Sequence, residues 1–183
     1  MIGIVIGHGG RAPGSHIFQP EVEELERRGH LVIATDVHMA GPDDPAEEAR
    51  SFDEAVEVQR QAVDLLVKRG ATQIGFYGHS LGAVRGLALA ARDDRVGAVV
   101  VAAMGTGVVD VVWDAINFVK VSGPARLFQQ GVRDDIVHYD AARALYDAAP
   151  DPKEWREYDA DHGVDGHPQA RLDRYAFLER VLG

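Results

Sequence analysis

The chain has 183 residues, which is the length of one ordinary domain. It carries 19 Lys and Arg residues against 29 Asp and Glu residues, and the resulting net charge of −10 argues against nucleic acid or an anionic membrane as a partner. Hydrophobic residues make up 46% of the chain, too many for a disordered protein, and the absence of cysteine excludes disulfides and thiol catalysis.

The first half of the chain alternates predicted strands with predicted helices. Residues 2–6 form a short β-branched run that ends in glycines, and residues 31–35 (LVIAT) form the second strand. A helix with Phe18 on its apolar face lies between them and is closed by Gly29. The chain therefore begins with a strand, a helix and a second strand.

A capping-box sequence predicts where the second helix begins. Ser51-Phe52-Asp53-Glu54 places Ser and Glu three residues apart, so that each side chain can bond the other's free backbone N–H. The apolar stripe behind it consists of Phe52, Val56, Val63, Leu66 and Val67. This pattern predicts a helix from Ser51 that ends at Gly70.

Four more strands are predicted in the second half, at residues 74–77, 96–103, 125–129 and 154–158. Helices are predicted at residues 81–92, at residues 139–149 and from Pro168 onward. We expect the last helix to turn these residues inward: Leu172, Tyr175, Ala176, Leu178 and Leu182. Residues 105–123 are ambiguous, because 108–112 favour a strand and 113–119 a short helix, and we expect them to form a short cap.

Six strands that alternate with helices predict an α/β fold, with about six mostly parallel strands and helices on both faces. We expect residues 1–183 to form a single domain. In such sheets ligands bind beyond the carboxyl ends of the strands.

Neither a membrane span nor a signal peptide is predicted. The uncharged run at residues 96–109 is shorter than the roughly 18 residues of a membrane span. The amino terminus reads as a strand and lacks the basic region of a signal peptide. We therefore expect a cytoplasmic location.

The strongest chemical motif is Gly78-His79-Ser80-Leu81-Gly82, a G-x-S-x-G sequence between a predicted strand and a predicted helix. The two glycines permit a sharp turn that projects the Ser80 hydroxyl above the sheet at a helix N-terminus. The alternative interpretation is a glycine-rich turn in which Ser80 caps the helix.

A serine nucleophile needs a histidine base and an acid that orients the histidine. Asp134 follows the fifth predicted strand and His162 follows the sixth, so the chain has the Ser, Asp, His order that this motif predicts. Asp135 is an alternative acid, and Asp110 and Asp114 are weaker ones.

Three histidines and one arginine near these motifs have other possible roles. His167 is an alternative base, but the proline that follows it favours a helix cap. We expect His8 to brace its loop and His79 to pack beside the serine turn. Arg11 is interpreted either as a group that holds a substrate carboxylate or as a surface arginine.

With these motifs, nearly the whole chain resembles the α/β-hydrolase superfamily, close to its small dienelactone-hydrolase-like and esterase branches. The family's acid often lies in a G-x-x-D-x-x-V context, as Asp134 does, and its histidine often precedes glycine, as His162 does. The resemblance implies that the first strand lies beside the strand that carries Ser80. It also implies an oxyanion hole formed by the N–H groups of Gly9 or Gly10 and of Leu81.

The chain also departs from the family pattern. The family's first two strands are missing, and residues 105–123 are too few for a large lid domain. Dienelactone hydrolases use cysteine where Ser80 stands, so their substrate is not supported. The resemblance therefore implies a minimal serine hydrolase for a small, soluble carboxylic ester or a related thioester or lactone, with no cofactor, no metal and neither nucleic acid nor membrane as partner.

Two other classes of function remain open. Gly7-His8-Gly9-Gly10 and Asp36 stand where a nucleotide-binding fold has its glycine turn and ribose acid, but Ala12 replaces the third glycine. The second class is a non-catalytic binding protein that keeps the hydrolase fold.

A metal site has weaker support. The acidic and histidine-rich run is Asp159, Asp161, His162, Asp165 and His167. It begins like a calcium-binding loop, but Val164 and Ala170 stand where that loop needs Gly and Glu. A zinc or iron site that includes Asp36 and His38 stays open, although no H-E-x-x-H sequence supports it.

Overall fold

The computed structural model of the chain describes residues 1–109 and 113–183. Among these residues, six strands form one parallel sheet in the order β2-β1-β3-β4-β5-β6. The strands are β1 (Ile2–Gly7), β2 (Leu31–Thr35), β3 (Gln73–His79), β4 (Val96–Ala102), β5 (Ala125–Gly131) and β6 (Lys153–Tyr158). The helices are α1 (Gln19–Arg27), α2 (Pro45–Lys68), α3 (Leu81–Arg92), α4 (Ile116–Val119), α5 (Tyr139–Ala148) and α6 (Pro168–Leu182). Short 3-10 helices at Ser15–Phe18 and Val164–Gly166 precede α1 and α6.

Apolar cores cover both faces of the sheet. In β1, Val5 packs into the core under α2 and α3, whereas Ile4 and Ile6 pack into the core under α1 and α6. Because every residue of β1 is buried, the strand needs an apolar run and not an alternating pattern. The predicted parallel α/β sheet is confirmed, and β1 pairs with β3 as the resemblance implied.

Helix α2 begins at Pro45, so the prediction of a start at Ser51 was wrong. The Asp44 side chain accepts hydrogen bonds from the backbone N–H groups of Ala46 and Glu47, at 3.0 and 3.1 Å. Ser51 lies inside the helix, where its hydroxyl donates to the Glu48 carbonyl at 2.9 Å. The Asp-Pro start satisfies the helix terminus earlier than the capping box would.

The inward faces of two helices also differ from the prediction. Leu172 and Ala176 of α6 and Val67 of α2 are exposed. In α6 the buried face instead includes Arg174, whose guanidinium contacts the Glu21 carboxylate at 3.1 Å. Tyr175, Leu178 and Leu182 are buried, as predicted. Periodicity treats an arginine as a solvent-facing residue, so it missed Arg174 on this face of the helix.

The segment between β4 and β5 carries only the short helix α4 in its described part. The predicted tendency toward a strand at 108–112 falls partly on residues 110–112, which lie outside the described residues. Trp113 is buried and stacks on Phe52 of α2, with ring centroids 5.2 Å apart. In the described ranges, no helix is both long and apolar enough to cross a membrane.

Replacement of Asp44 by alanine tests the position of the α2 terminus. Because this carboxylate bonds two free N–H groups, Asp44→Ala is expected to lower the free energy of unfolding by about 1 kcal/mol, measured by urea denaturation. The matched control is Asp43→Ala, an exposed neighbour, which is expected to have no effect. An equal effect of the two variants would contradict the assigned cap.

Candidate active site

Ser80 lies in a strained turn between β3 and α3. Its backbone has φ 53° and ψ −124°, a region that residues with a side chain rarely adopt. Ser80 precedes the first residue of α3, but its side chain makes no capping hydrogen bond. Ser80 therefore occupies the capping position, but its hydroxyl, at the carboxyl end of β3, does not cap the helix.

The two glycines of the motif are required by close backbone contacts. A Cβ atom on Gly82 would lie 2.0 Å from the carbonyl oxygen of Gly7, at the end of β1. A Cβ on Gly78 would lie 2.5 Å from the backbone nitrogen of Ala83. Both distances are far shorter than van der Waals contact, so the turn can form only with glycine at these positions.

His162 and Asp134 meet at the carboxyl edge of the sheet. The Nδ1 atom of His162 donates to Oδ2 of Asp134 at 2.9 Å. The other oxygen of Asp134 accepts the backbone N–H groups of Ile136 and Val137, at 3.0 and 2.8 Å. Asp135 is exposed, so the structure brings Asp134 and not its neighbour to the histidine.

The buried carboxylate of Asp134 is kept ionised by its donors. Burial acts to raise its pKa, but hydrogen bonds from the Val137 N–H, from His162 and from the Ile136 N–H outweigh burial and hold the pKa below its ordinary value. Gln130 adds a fourth donor, with Nε2 3.3 Å from Oδ2 of Asp134. Sequence reasoning missed Gln130, because a glutamine inside a buried strand carries no motif.

Of the alternative acid and base in the described residues, Asp114 and His167 are each engaged by a backbone N–H group. Asp110 is outside the described residues. Asp114 accepts the backbone N–H of Ile116 at 2.9 Å within its own turn. His167 caps α6, where its Nδ1 accepts the N–H of Ala170 at 3.4 Å, as predicted.

His79 joins the loop of His162 to the serine turn. Its Nε2 donates to the carbonyl oxygen of His162 at 2.8 Å, and the two rings have centroids 5.0 Å apart. Because His79 directly precedes Ser80, this contact holds the histidine loop beside the serine turn. In the described part of the chain the Ser80 hydroxyl has no hydrogen-bond partner. Hydrogen bonds between catalytic groups are often long in the absence of substrate and tighten only when substrate binds.

The loop after β1 lies against the same turn. A Cβ atom on Gly9 would lie 3.2 Å from Cβ of Ser80, so the backbone of this loop closely approaches the serine. Within residues 1–109 and 113–183, the backbone N–H groups of Gly9, Gly10 and Leu81 have no hydrogen-bond partner. Backbone N–H groups without a partner can bind an anion or a polarised carbonyl oxygen.

His8 braces this loop, as the sequence predicted. Its ring is buried, Nδ1 donates to the Gly9 carbonyl at 2.7 Å, and Nε2 accepts the N–H of Val37 at 3.2 Å. These two contacts require the neutral ring with its proton on Nδ1. Burial lowers the pKa of His8 and favours that neutral form.

Arg11 is committed to a contact within the protein. Its guanidinium donates to the carboxylate of Glu48, which is buried, and to the carbonyl of Ala40. Arg11 is therefore a partly exposed arginine with a partner inside the protein, and whether it also holds a substrate carboxylate stays a prediction. The ion pair attaches the loop after β1 to helix α2.

Asp36 and the histidine-rich run do not form a metal site in the described ranges. Asp36 accepts the backbone N–H groups of Gly14 and Ser15, at 3.0 and 2.8 Å, and so holds the loop that follows β1. Among the residues that the structure describes, no three His, Asp or Glu side chains are grouped to hold a metal ion.

Known proteins with this fold include several hydrolases. Residues 3–117 match the family model for the alpha/beta hydrolase fold. A cold-adapted esterase from an Arctic intertidal metagenomic library has a TM-score of 0.77 and 19% identity, over 99% of this chain and 82% of that one. An esterase from Pyrococcus furiosus has a TM-score of 0.80 and 16% identity, over 99% and 82% of the two chains. An alpha/beta hydrolase from Penicillium sp. sh18 has a TM-score of 0.79 and 16% identity, over 98% and 90%. No curated protein sequence matches significantly.

Replacement of Gly82 by alanine tests the backbone contact below the serine turn. Because its Cβ would overlap the Gly7 carbonyl, Gly82→Ala is expected to lower the free energy of unfolding by about 3 kcal/mol or more, measured by urea denaturation. Gly41→Ala is the control, because no atom lies within 4 Å of its added Cβ. A Gly82→Ala protein with the stability of the wild type would contradict the contact.

The pH dependence of stability tests the ionised state of Asp134. Because its folded pKa lies below the ordinary value of 3.8, its contribution to stability is fully present above about pH 4 and is lost as pH falls through the folded pKa. The stability difference between the wild type and Asp134→Asn should therefore shrink in urea titrations as pH falls from 5 through the folded pKa of Asp134. Asp135→Asn, the exposed control, should show almost no difference. A gap that is independent of pH would contradict this assignment.

Proposed function

The chain belongs to the α/β-hydrolase family, and on this premise we propose that it is a serine hydrolase that cleaves a small carboxylic ester, or a related thioester or lactone. The observation that carries the proposal is the pair formed by buried Asp134 and His162, held beside a strained serine whose hydroxyl has no partner among the described residues. Backbone strain and a buried charge both lower the stability of the folded state, so a purely structural role does not explain this combination.

In the proposed reaction, the Ser80 hydroxyl attacks the acyl carbonyl while Nε2 of His162 takes the hydroxyl proton. His162 then returns the proton to the leaving alcohol, and an acyl group stays on Ser80. Asp134 accepts a hydrogen bond from the Nδ1–H group of His162, which keeps Nε2 free to act as the base and stabilises the imidazolium that forms. Water then attacks the acyl-enzyme by the same steps and releases the acid.

The negative charge that develops on the acyl oxygen is stabilised by backbone donors. The N–H groups of Leu81 and of Gly9 or Gly10 serve this purpose, since none of the three has a partner in the described residues. One well-placed donor of this kind contributes about 3 to 4 kcal/mol to transition-state stabilisation. The N-terminus of α3, at Leu81, adds its positive dipole end to the same place.

Three observations support a small ester without several negative charges as the substrate. Residues 105–123 are too few for a large lid domain, and in their described part only the four-residue helix α4 is regular. The net charge of −10 repels polyanionic substrates. The fold neighbours from the Arctic library and from Pyrococcus furiosus are esterases, so the fold supports this reaction class elsewhere.

The nucleotide-binding alternative has less support. A ribose-binding acid must offer its carboxylate to a ligand, but Asp36 accepts two backbone N–H groups of its own chain. A non-catalytic binding protein would not need the contact between Asp134 and His162. We therefore retain both alternatives only as outcomes of the experiment below.

Covalent labelling with a fluorophosphonate, followed by intact mass measurement, tests the proposal. Wild type is expected to gain one adduct that is lost in Ser80→Ala and His162→Ala, because the probe needs an activated serine. The chain has no cysteine to compete for the probe. Ser122→Ala is the control variant, an exposed serine whose loss should leave labelling unchanged. A folded wild type that gains no adduct would overturn the proposal and favour a binding protein.

A further inference from the structure

Arg85 is a buried cation that lies beneath the loop after β1. It belongs to α3, five residues after Ser80, and none of its surface is exposed. Its Nη2 donates to the carbonyl oxygen of His8, and its Nη1 lies 3.5 Å from the carbonyl of Gly10 and 3.2 Å from Sδ of Met39. Among the described residues it contacts no carboxylate.

This arrangement is expensive for the folded state. A buried guanidinium without an anionic partner loses its hydration and receives only carbonyl dipoles in return. Burial lowers the pKa of Arg85 to about 10, so the group is still charged at neutral pH. The Nε of Arg85 also has no hydrogen-bond partner among the residues that the structure describes. A methionine would fill the same space without that cost.

The two carbonyl groups that Arg85 contacts belong to the loop that supplies the free N–H donors. In a trans peptide the N–H points opposite to its C=O. When Arg85 draws the His8 carbonyl toward α3, it therefore turns the N–H of Gly9 away from the guanidinium. A donor at the C=O also polarises the N–H of the same peptide bond. The His8 carbonyl belongs to the same peptide group as the N–H of Gly9, and a Cβ on Gly9 would lie 3.2 Å from Cβ of Ser80, so the Arg85 contact acts on the part of the loop that lies against the serine.

We infer that Arg85 is a positioning residue: it fixes the His8-Gly9-Gly10 backbone against the serine turn, so that its N–H groups face the oxygen that becomes negative. This inference rests on the proposed serine-hydrolase function. Arg85 does not contact the substrate and acts only through the peptide groups of the loop.

The chain contains a matched control for this residue. Arg126, on β5, is 1% exposed, and it too contacts only carbonyls, those of Val121 and Pro124, with an Nε that has no partner. Burial lowers the pKa of Arg126 as well. Arg126 lies at the amino end of β5, whereas Ser80 follows the carboxyl end of β3, so the two residues lie at opposite ends of the parallel strands. Removal of either arginine costs similar structural contacts, but only Arg85 contacts the loop.

The experiment compares Arg85→Met with Arg126→Met at equal concentrations of folded protein. For Arg85→Met we expect kcat on a p-nitrophenyl ester and the rate of fluorophosphonate labelling to fall about 10- to 100-fold with KM little changed, since only transition-state binding is lost. Arg126→Met should keep both rates. In ¹H–¹⁵N spectra, the amide signals of Gly9 and Gly10 should shift in Arg85→Met but not in Arg126→Met.

The outcomes separate this inference from the proposed function. A wild type that neither labels nor hydrolyses esters overturns both. A wild type that labels, with Arg85→Met at the wild-type rate, overturns only the role of Arg85, as does an equal loss in both variants. Should Arg85→Met fail to fold, Arg85→Lys replaces it, because its single ammonium reaches one carbonyl instead of two. A several-fold fall in kcat at constant KM is then expected, and an unchanged kcat overturns the inference.

Discussion

The candidate site depends on the close contact between the start of α3 and the end of β1. Gly82 lies so near the Gly7 carbonyl that any side chain would separate the helix from the strand. At this separation the N-terminus of α3, the serine turn and the loop after β1 meet within a few ångströms. At a larger separation the backbone at Gly9 would no longer lie against the serine turn.

Around this contact, buried polar groups anchor the loops that come from separate strands. Asp134 is bonded by the backbone of its own loop, and His8 bonds the carbonyl of Gly9. Arg85 contacts the loop after β1, and Arg174 donates to the carbonyls of Val164 and Asp165, just beyond His162. Each anchor costs desolvation, which its hydrogen bonds partly offset. The loops thereby acquire the fixed geometry that catalysis requires and that loops otherwise lack.

Most of the strands and helices could be predicted because their signals are local. Apolar β-branched runs identify strands that are buried on both faces, and Pro168 marks the start of α6. The errors have two causes. At the start of α2 two local caps compete, and the side chain of Asp44 caps the helix before the Ser51 sequence does. The buried face of α6 depends on an ion pair between Arg174 and Glu21, which are far apart in the sequence.

The sequence by itself determined the parallel sheet, the glycine-flanked turn at Ser80 and the order in which the serine, acid and histidine follow their strands. These properties depend on residue type and spacing, which local sterics and periodicity read directly. Only the tertiary structure decided that Asp134 and not Asp135 meets His162, and that Arg11 and Arg85 are engaged inside the protein. Adjacent residues differ in side-chain direction, and buried charges find their partners across long chain separations. Both properties arise only when the sheet has brought its strand ends together.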